Sequence, residues 1–154
     1  MRKAMFFLTV FAFAGSLWAQ QDARIGTWKQ NVAKSTFDPG PPPKSGVAKF
    51  EPSGSNGIKL TFDGVNAQGN PTHNEYTANY DGKDYPIKGS AISDTVAIRR
   101  IDANTHLRID KKSGNVAQMM RGVVSKDGKT FTVISIGINA QGQAFHEITV
   151  YDRQ

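Results

Sequence analysis

Cysteine is absent from all 154 residues. That excludes a disulfide scaffold, a thiolate zinc site, a cysteine nucleophile and a lipidated cysteine anchor. Histidine is scarce: His73, His106 and His146 are the only three, and no two have the short ligand spacing of a zinc pair. Glu75 and Glu147 lie near two of them, but scattered strand histidines are more often rim residues, and no metal is expected. There is no Gly-x-Ser-x-Gly elbow, and Ser135 sits inside an apolar alternation rather than beside a base. Asp81 and Asp84 flank a Gly-Lys turn, which suits solvated turn residues better than a glycosidase pair. Gly54, Gly57 and Gly64 lack the strand–loop–helix setting of a phosphate loop. These absences leave no catalytic residue and no cofactor to assign, so the chain reads as a non-enzyme.

What is present begins with a targeting segment. Arg2 and Lys3 precede an uncharged, mostly apolar run, Ala4 to Ala19. Charge followed by a short apolar run is the order of a signal peptide. At about 1.5 Å per residue the run is short for a hydrocarbon core of roughly 30 Å. No basic stop-transfer cluster follows it, which disfavours a retained anchor, so no stable membrane span is expected after cleavage. Cleavage after Ala19 is favoured over the small-x-small triplet Ala12-Phe13-Ala14, which would leave Trp18 in a dangling tail. The expected organisation is a signal peptide over 1–19 and a single domain over 20–154. Lys and Arg outnumber Asp and Glu by 19 to 13, a net charge of +6 that falls to +4 once Arg2 and Lys3 are removed. An exported chain without cysteine or an Asn-x-Ser/Thr site points to a bacterial periplasm or secreted location. The adjacent pairs Arg99-Arg100 and Lys111-Lys112 point to opposite strand faces and are interleaved with Asp94, Asp102, Asp110 and Asp127. No nucleic-acid partner is implied.

Hydrophobic residues make up 38% and aromatics 10%, too many for a disordered chain. Their period is two. Ile58, Leu60 and Phe62 share one face; Val96 and Ile98, Leu107 and Ile109, and Ile134, Ile136 and Ile138 repeat the pattern. Turn formers punctuate these runs at Asp81-Gly82, Ser113-Gly114-Asn115 and Asp127-Gly128. About ten strands are expected, near 24–31, 46–51, 57–65, 72–80, 84–88, 94–102, 105–111, 115–124, 130–138 and 144–152. An antiparallel meander with short hairpins hides its edges best by closing into a barrel, with a sandwich as the alternative. Residues 32–45 hold Pro39, Pro41, Pro42 and Pro43 and read as a stiff loop across one barrel end, with room for one short turn around Ala33 to Phe37. Gly64-Val-Asn-Ala-Gln-Gly-Asn-Pro-Thr-His73 is echoed by Gly137-Ile-Asn-Ala-Gln-Gly-Gln-Ala-Phe-His146. Reused turn chemistry explains the echo without a duplicated half-barrel.

Gly26-Thr27-Trp28-Lys29, opening the first strand, resembles the Gly-x-Trp signature of the calycins, the lipocalins and fatty-acid-binding proteins. The ending Val150-Tyr151-Asp152-Arg153 is similar to the last strand of fatty-acid-binding proteins. The resemblance implies an all-β antiparallel meander closed into a lipocalin-like barrel of about 8–10 strands. It also implies that Trp28 plugs one barrel end beneath a late basic side chain, Arg121 or Arg153. Two departures matter. Residues 32–45 are too few and too proline-rich for the family's helix pair, and Thr149 stands where its Arg-x-Tyr clamp has arginine, leaving only Tyr151.

The expected lining of an apolar interior is Phe62, Tyr76, Met119, Phe131 and Tyr151. Strand 144–152 is ambiguous, because Ile148 and Val150 share the more apolar face while the resemblance turns Tyr151 inward. Parity with Leu107 and Ile109 directs Arg108 outward, and Arg121 is the arginine expected to project inward toward an anionic head group. The sequence thus leads to an exported barrel that binds a small apolar or amphiphilic molecule. The alternative is a solid-cored cell-envelope module, structural or protein-binding, without a ligand.

Overall fold

Ten antiparallel strands close on themselves in residues 22–154, which the computed structural model describes. The targeting segment expected over 1–19 lies outside the described residues. The strands are β1 (Gly26–Gln30), β3 (Ser45–Ser53), β4 (Gly57–Val65), β5 (Pro71–Asn79), β6 (Tyr85–Lys88), β7 (Thr95–Arg100), β8 (Thr105–Lys112), β9 (Asn115–Val124), β10 (Thr130–Ile138) and β11 (Ala144–Arg153). Each pairs with the next around the ring, and β11 returns to β1 with Trp28 opposite Arg153 and Gln30 opposite Tyr151. Closure removes the free edges that a ten-strand meander would otherwise expose. Among the described residues no helix is long and apolar enough to cross a membrane.

An eleventh strand, β2 (Thr36–Asp38), corrects the reading of residues 32–45 as loop. The expected short turn is there, a 3-10 turn over Val32–Lys34 whose Asn31 side chain accepts from the Lys34 N–H. Beyond it, Thr36, Phe37 and Asp38 pair with Ile148, Glu147 and His146 of β11. β1 stops at Gln30 while β11 runs on to Ala144, so this stretch of β11 has a free edge that the strap's backbone satisfies. Three residues are too few for alternation to announce such a strand.

Alternation puts the core where expected in the first half of the barrel. Ile58, Leu60, Val96 and Ile98 are buried, joined by Phe50, Ala48 and Ala78. Phe131 crosses from β10 to stack 5.5 Å from Trp28 and 5.8 Å from Phe50. The second half reverses the expectation. Leu107, Ile109, Ile134, Ile136 and Ile138 face outward and are exposed, while His106, Asp110 and Ser135 are buried. Met119 and Arg121 also point outward. Period two says only that a strand's two faces differ; which face turns inward depends on what the interior holds, and here it holds polar groups.

The echoed hairpins share one hydrogen-bond pattern. Asn66 and Asn139 each donate a backbone N–H to the carbonyl across the turn, of Asn70 and Gln143, and each side-chain oxygen accepts from that same residue's N–H at 2.9 Å. Gly69 and Gly142 occupy the left-handed position at φ +92° and +78°. The repeated motif is a repeated turn. Both hairpins stand at the end of the barrel that the proline strap crosses, since a meander alternates its turns between two ends.

Candidate functional site

The opposite end is sealed. Trp28 is fully buried, donates its indole N–H to the Arg24 carbonyl at 2.6 Å, and carries the Arg153 guanidinium 4.1 Å above its ring. Arg153 in turn donates to the carbonyls of Ala23, Ile25 and Gly128. Gly26 explains why the signature starts with glycine: its φ is +128°, and a Cβ there would meet Arg153 Nη1 at 2.8 Å. Of the two arginines expected to cap Trp28, Arg153 does so; Arg121, on the outer face of β9, does not.

Just inside the seal lies a buried polar cluster. Asp22 accepts from the Arg24 backbone N–H at 2.8 Å and pairs with its guanidinium at 3.0 Å; the Tyr80 hydroxyl also donates to it. His106 Nε2 stands 3.2 Å from Asp22 Oδ1, off the line of a good hydrogen bond, and Nδ1 has no partner. Burial opposes the charge on Asp22, but His106 and Arg24 outweigh it and hold the carboxyl far below the usual range. Burial, with the nearby charges of Arg24 and Arg100, pushes His106 below its ordinary value, so its imidazole is neutral at pH 7.

Above this cluster the barrel is hollow. An inner cavity of about 380 Å³ is walled by Phe50, Leu60, Phe62, Tyr76, Ile87, Phe131 and Tyr151, among others. An outer cavity of about 400 Å³ adjoins it toward the strap, walled by Phe37, Pro41, Pro43, Gln30, Ser135, Glu147 and Thr149. The two share Phe62, Thr72, Met120, Val133 and Tyr151. Of the six residues the sequence nominated for the interior, Phe62, Tyr76, Phe131 and Tyr151 stand on this wall. Met119 (46% exposed) and Arg121 stand outside it, because β9 turns Gln118, Met120 and Gly122 inward instead. The ambiguity in β11 resolves in the same sense: Glu147, Thr149 and Tyr151 face in, Ile148 and Val150 out.

Of the two strand arginines Arg108 and Arg121, the inward one is Arg108. Its Nε and Nη2 grip the two oxygens of fully buried Asp110 at 2.6 and 2.7 Å, and its guanidinium lies 4.8 Å over the Tyr76 ring. Gln118 completes the carboxylate's shell at 2.6 Å. Parity with Leu107 and Ile109 misdirected this residue. The signal that could have found it is Arg108-x-Asp110: residues two apart on a strand share a face, and opposite charges on one face can enter a low-dielectric interior as a pair. Tyr151 shares the inner cavity with Arg108 and the outer one with Glu147; burial pushes its hydroxyl well above the usual range, with Arg108 opposing and Glu147 adding to the shift. Burial alone raises Glu147. Among the described residues no group of three His, Asp or Glu side chains is placed to hold a metal. His73 instead pairs with Asp63 at 2.7 Å on the surface.

No protein-family model matches the sequence, and no curated protein matches it. The structure does have likenesses. The fluorescent protein UnaG aligns with a TM-score of 0.59 and 11% identity, over 84% of this chain and 96% of its own. The zebrafish ileal bile acid-binding protein, solved with cholic acid, aligns at 0.49 and 12% identity, over 86% and 99%. A redesigned β-barrel aligns at 0.49 and 16% identity, over 86% and 92%. At such identities the likeness concerns architecture. Ten closed antiparallel strands, with the Gly26-x-Trp28 opening capped by Arg153, give this chain a closed antiparallel β-barrel fold like that of UnaG.

Proposed function

We propose that this protein is an exported barrel that binds a small apolar or amphiphilic molecule without converting it. The observation that carries the reading is the interior space. A barrel this small has enough side chains to fill itself, yet cavities of about 380 and 400 Å³ adjoin along its axis. Each is within the size range of small-molecule sites. Their walls combine aromatic faces with a few fixed polar groups, the usual composition of such a site. A solid-cored envelope module, the alternative, requires an interior without that space.

Binding is tested by native mass spectrometry of protein isolated from its own host, followed by titration of the stripped protein with the neutral fluorophore N-phenyl-1-naphthylamine. A co-travelling lipid-sized mass and saturable fluorescence are expected. A bare mass together with no saturable binding overturns the reading. Export rests on the basic start, the short apolar run and Ala19. N-terminal sequencing of the protein from a periplasmic extract should begin at Gln20; recovery only from the cytoplasm, beginning at Met1, overturns export.

A further inference from the structure

Among the described residues, the charges inside the barrel come in pairs, with one exception. Arg24 is matched by Asp22 and Arg108 by Asp110. Glu147 has no counter-ion: it projects from β11 into the outer cavity and makes neither an ion pair nor a side-chain hydrogen bond among the described residues. Among the described residues no lysine, arginine or histidine lines that cavity. The polar side chains beside Glu147 are likewise unengaged. Ser135 faces it in register across β10, and Thr149 follows two residues along its own strand. Gln30 is nine-tenths buried on the same wall, and its Oε1 has no donor among the described residues. A half-buried carboxylate and an orphaned amide oxygen both cost free energy until a donor or cation reaches them.

Resting on the amphiphile-binding reading above, we infer that the mouth of the barrel is a site for a positively charged nitrogen at the head of the ligand, its apolar body lying in the inner cavity. Glu147 supplies the opposite charge, and Phe37, Phe62 and Tyr151 supply aromatic surface of the kind that attracts ammonium groups. An anionic head has no such place. In the outer cavity it would face Glu147, and deeper down it would compete with Asp110 for Arg108 or with Asp22 for Arg24, each guanidinium already held by its carboxylate through two nitrogens.

Three probes of equal chain length separate the possibilities: dodecyltrimethylammonium, dodecanol and dodecanoate, each displacing N-phenyl-1-naphthylamine at neutral pH. The ammonium should bind at least about tenfold more tightly than the alcohol, with the carboxylate weakest. Glu147→Gln should reduce the ammonium's advantage over dodecanol to about onefold, and Glu147→Lys should invert the order. Circular-dichroism melts confirm that both variants are folded. Dodecanoate binding as tightly as the ammonium, or an advantage that survives in Glu147→Gln, overturns the cationic-head assignment while amphiphile binding stands. If neither the fluorophore nor any of the three chains binds, both readings fall.

Discussion

Along β4, Ile58, Leu60 and Phe62 turn inward, and Lys59 and Asp63 face solvent. Along β8 the roles are exchanged: His106, Arg108 and Asp110 turn inward, and Leu107 and Ile109 face out. The same exchange holds on β10, where Ser135 is buried between exposed Ile134 and Ile136. One half of the barrel is built like an ordinary β core. The other presents polar groups to the cavity and keeps an apolar outer face. Alternation has a period but no sign. A barrel that must solvate polar parts of a ligand can invert one wall without changing its strands, turns or closure.

Two arginines on neighbouring strands, one facing in and one out, test the inversion most strongly. Arg108→Leu strands the fully buried Asp110 carboxylate without a cation. It should lower unfolding free energy by about 3–5 kcal/mol, read from urea midpoints. Arg121→Leu, on the outer face, should change it by less than about 0.5 kcal/mol. Equal losses from the two variants would mean that the wall is not inverted. Replacing Arg108 and Asp110 together by leucine should restore most of the loss, since no unpaired charge then remains.

Adjacent methionines sharpen the same contrast through binding. Met120 lines both cavities, whereas Met119 is exposed. Met120→Trp should fill shared volume and weaken N-phenyl-1-naphthylamine binding by about tenfold or more. Met119→Trp should leave the titration unchanged. An outward-only effect would assign the fluorophore to the apolar outer face.

The smallest effect expected is in pH dependence, where interior groups of opposite sign oppose one another. His106 is held below its ordinary value, chiefly by burial. Its neutral form stabilises the fold above about pH 6.5, and that contribution is lost as acid protonates the unfolded chain first. Glu147 is raised by burial, so it destabilises the fold while charged and relaxes as pH falls toward the ordinary carboxylate range. Between pH 7.5 and 5 the melting temperature should therefore fall only slightly. Glu147→Gln should steepen the fall and His106→Gln should flatten it. Below about pH 4, where unfolded carboxylates take up protons, loss of the contribution of depressed Asp22 should dominate in every variant.

Strand positions were legible in the sequence because Gly, Asn and Asp mark the turns between period-two runs, and the ten ring strands fall where those marks place them. Trp28 and the strap were legible too, the first through its glycine, the second through its prolines. The inward set was legible only where apolar meant inside. Phe62, Tyr76, Phe131 and Tyr151 reached the wall on that rule or on the family's last strand; Met119 in place of Met120 and Arg121 in place of Arg108 were lost to it. Glu147 was noted only as a neighbour of a histidine. Nothing in its local sequence announces that it is unpaired, which depends on what the neighbouring strands bring to the same cavity.

Pairing of the first and last ring strands also decides how the molecule can be handled. The Gln154 N–H is bonded to the Thr27 carbonyl at 3.0 Å, and Arg153 is clamped over Trp28. Gln154 therefore lies at the sealed pole, with the barrel's length between it and the strap. Immobilising the protein on a sensor surface through a tag after Gln154 points the mouth toward bulk solution. A dye attached to a cysteine engineered in the 66–70 hairpin, conjugated without competition in a chain that has no thiol of its own, then reports what enters there.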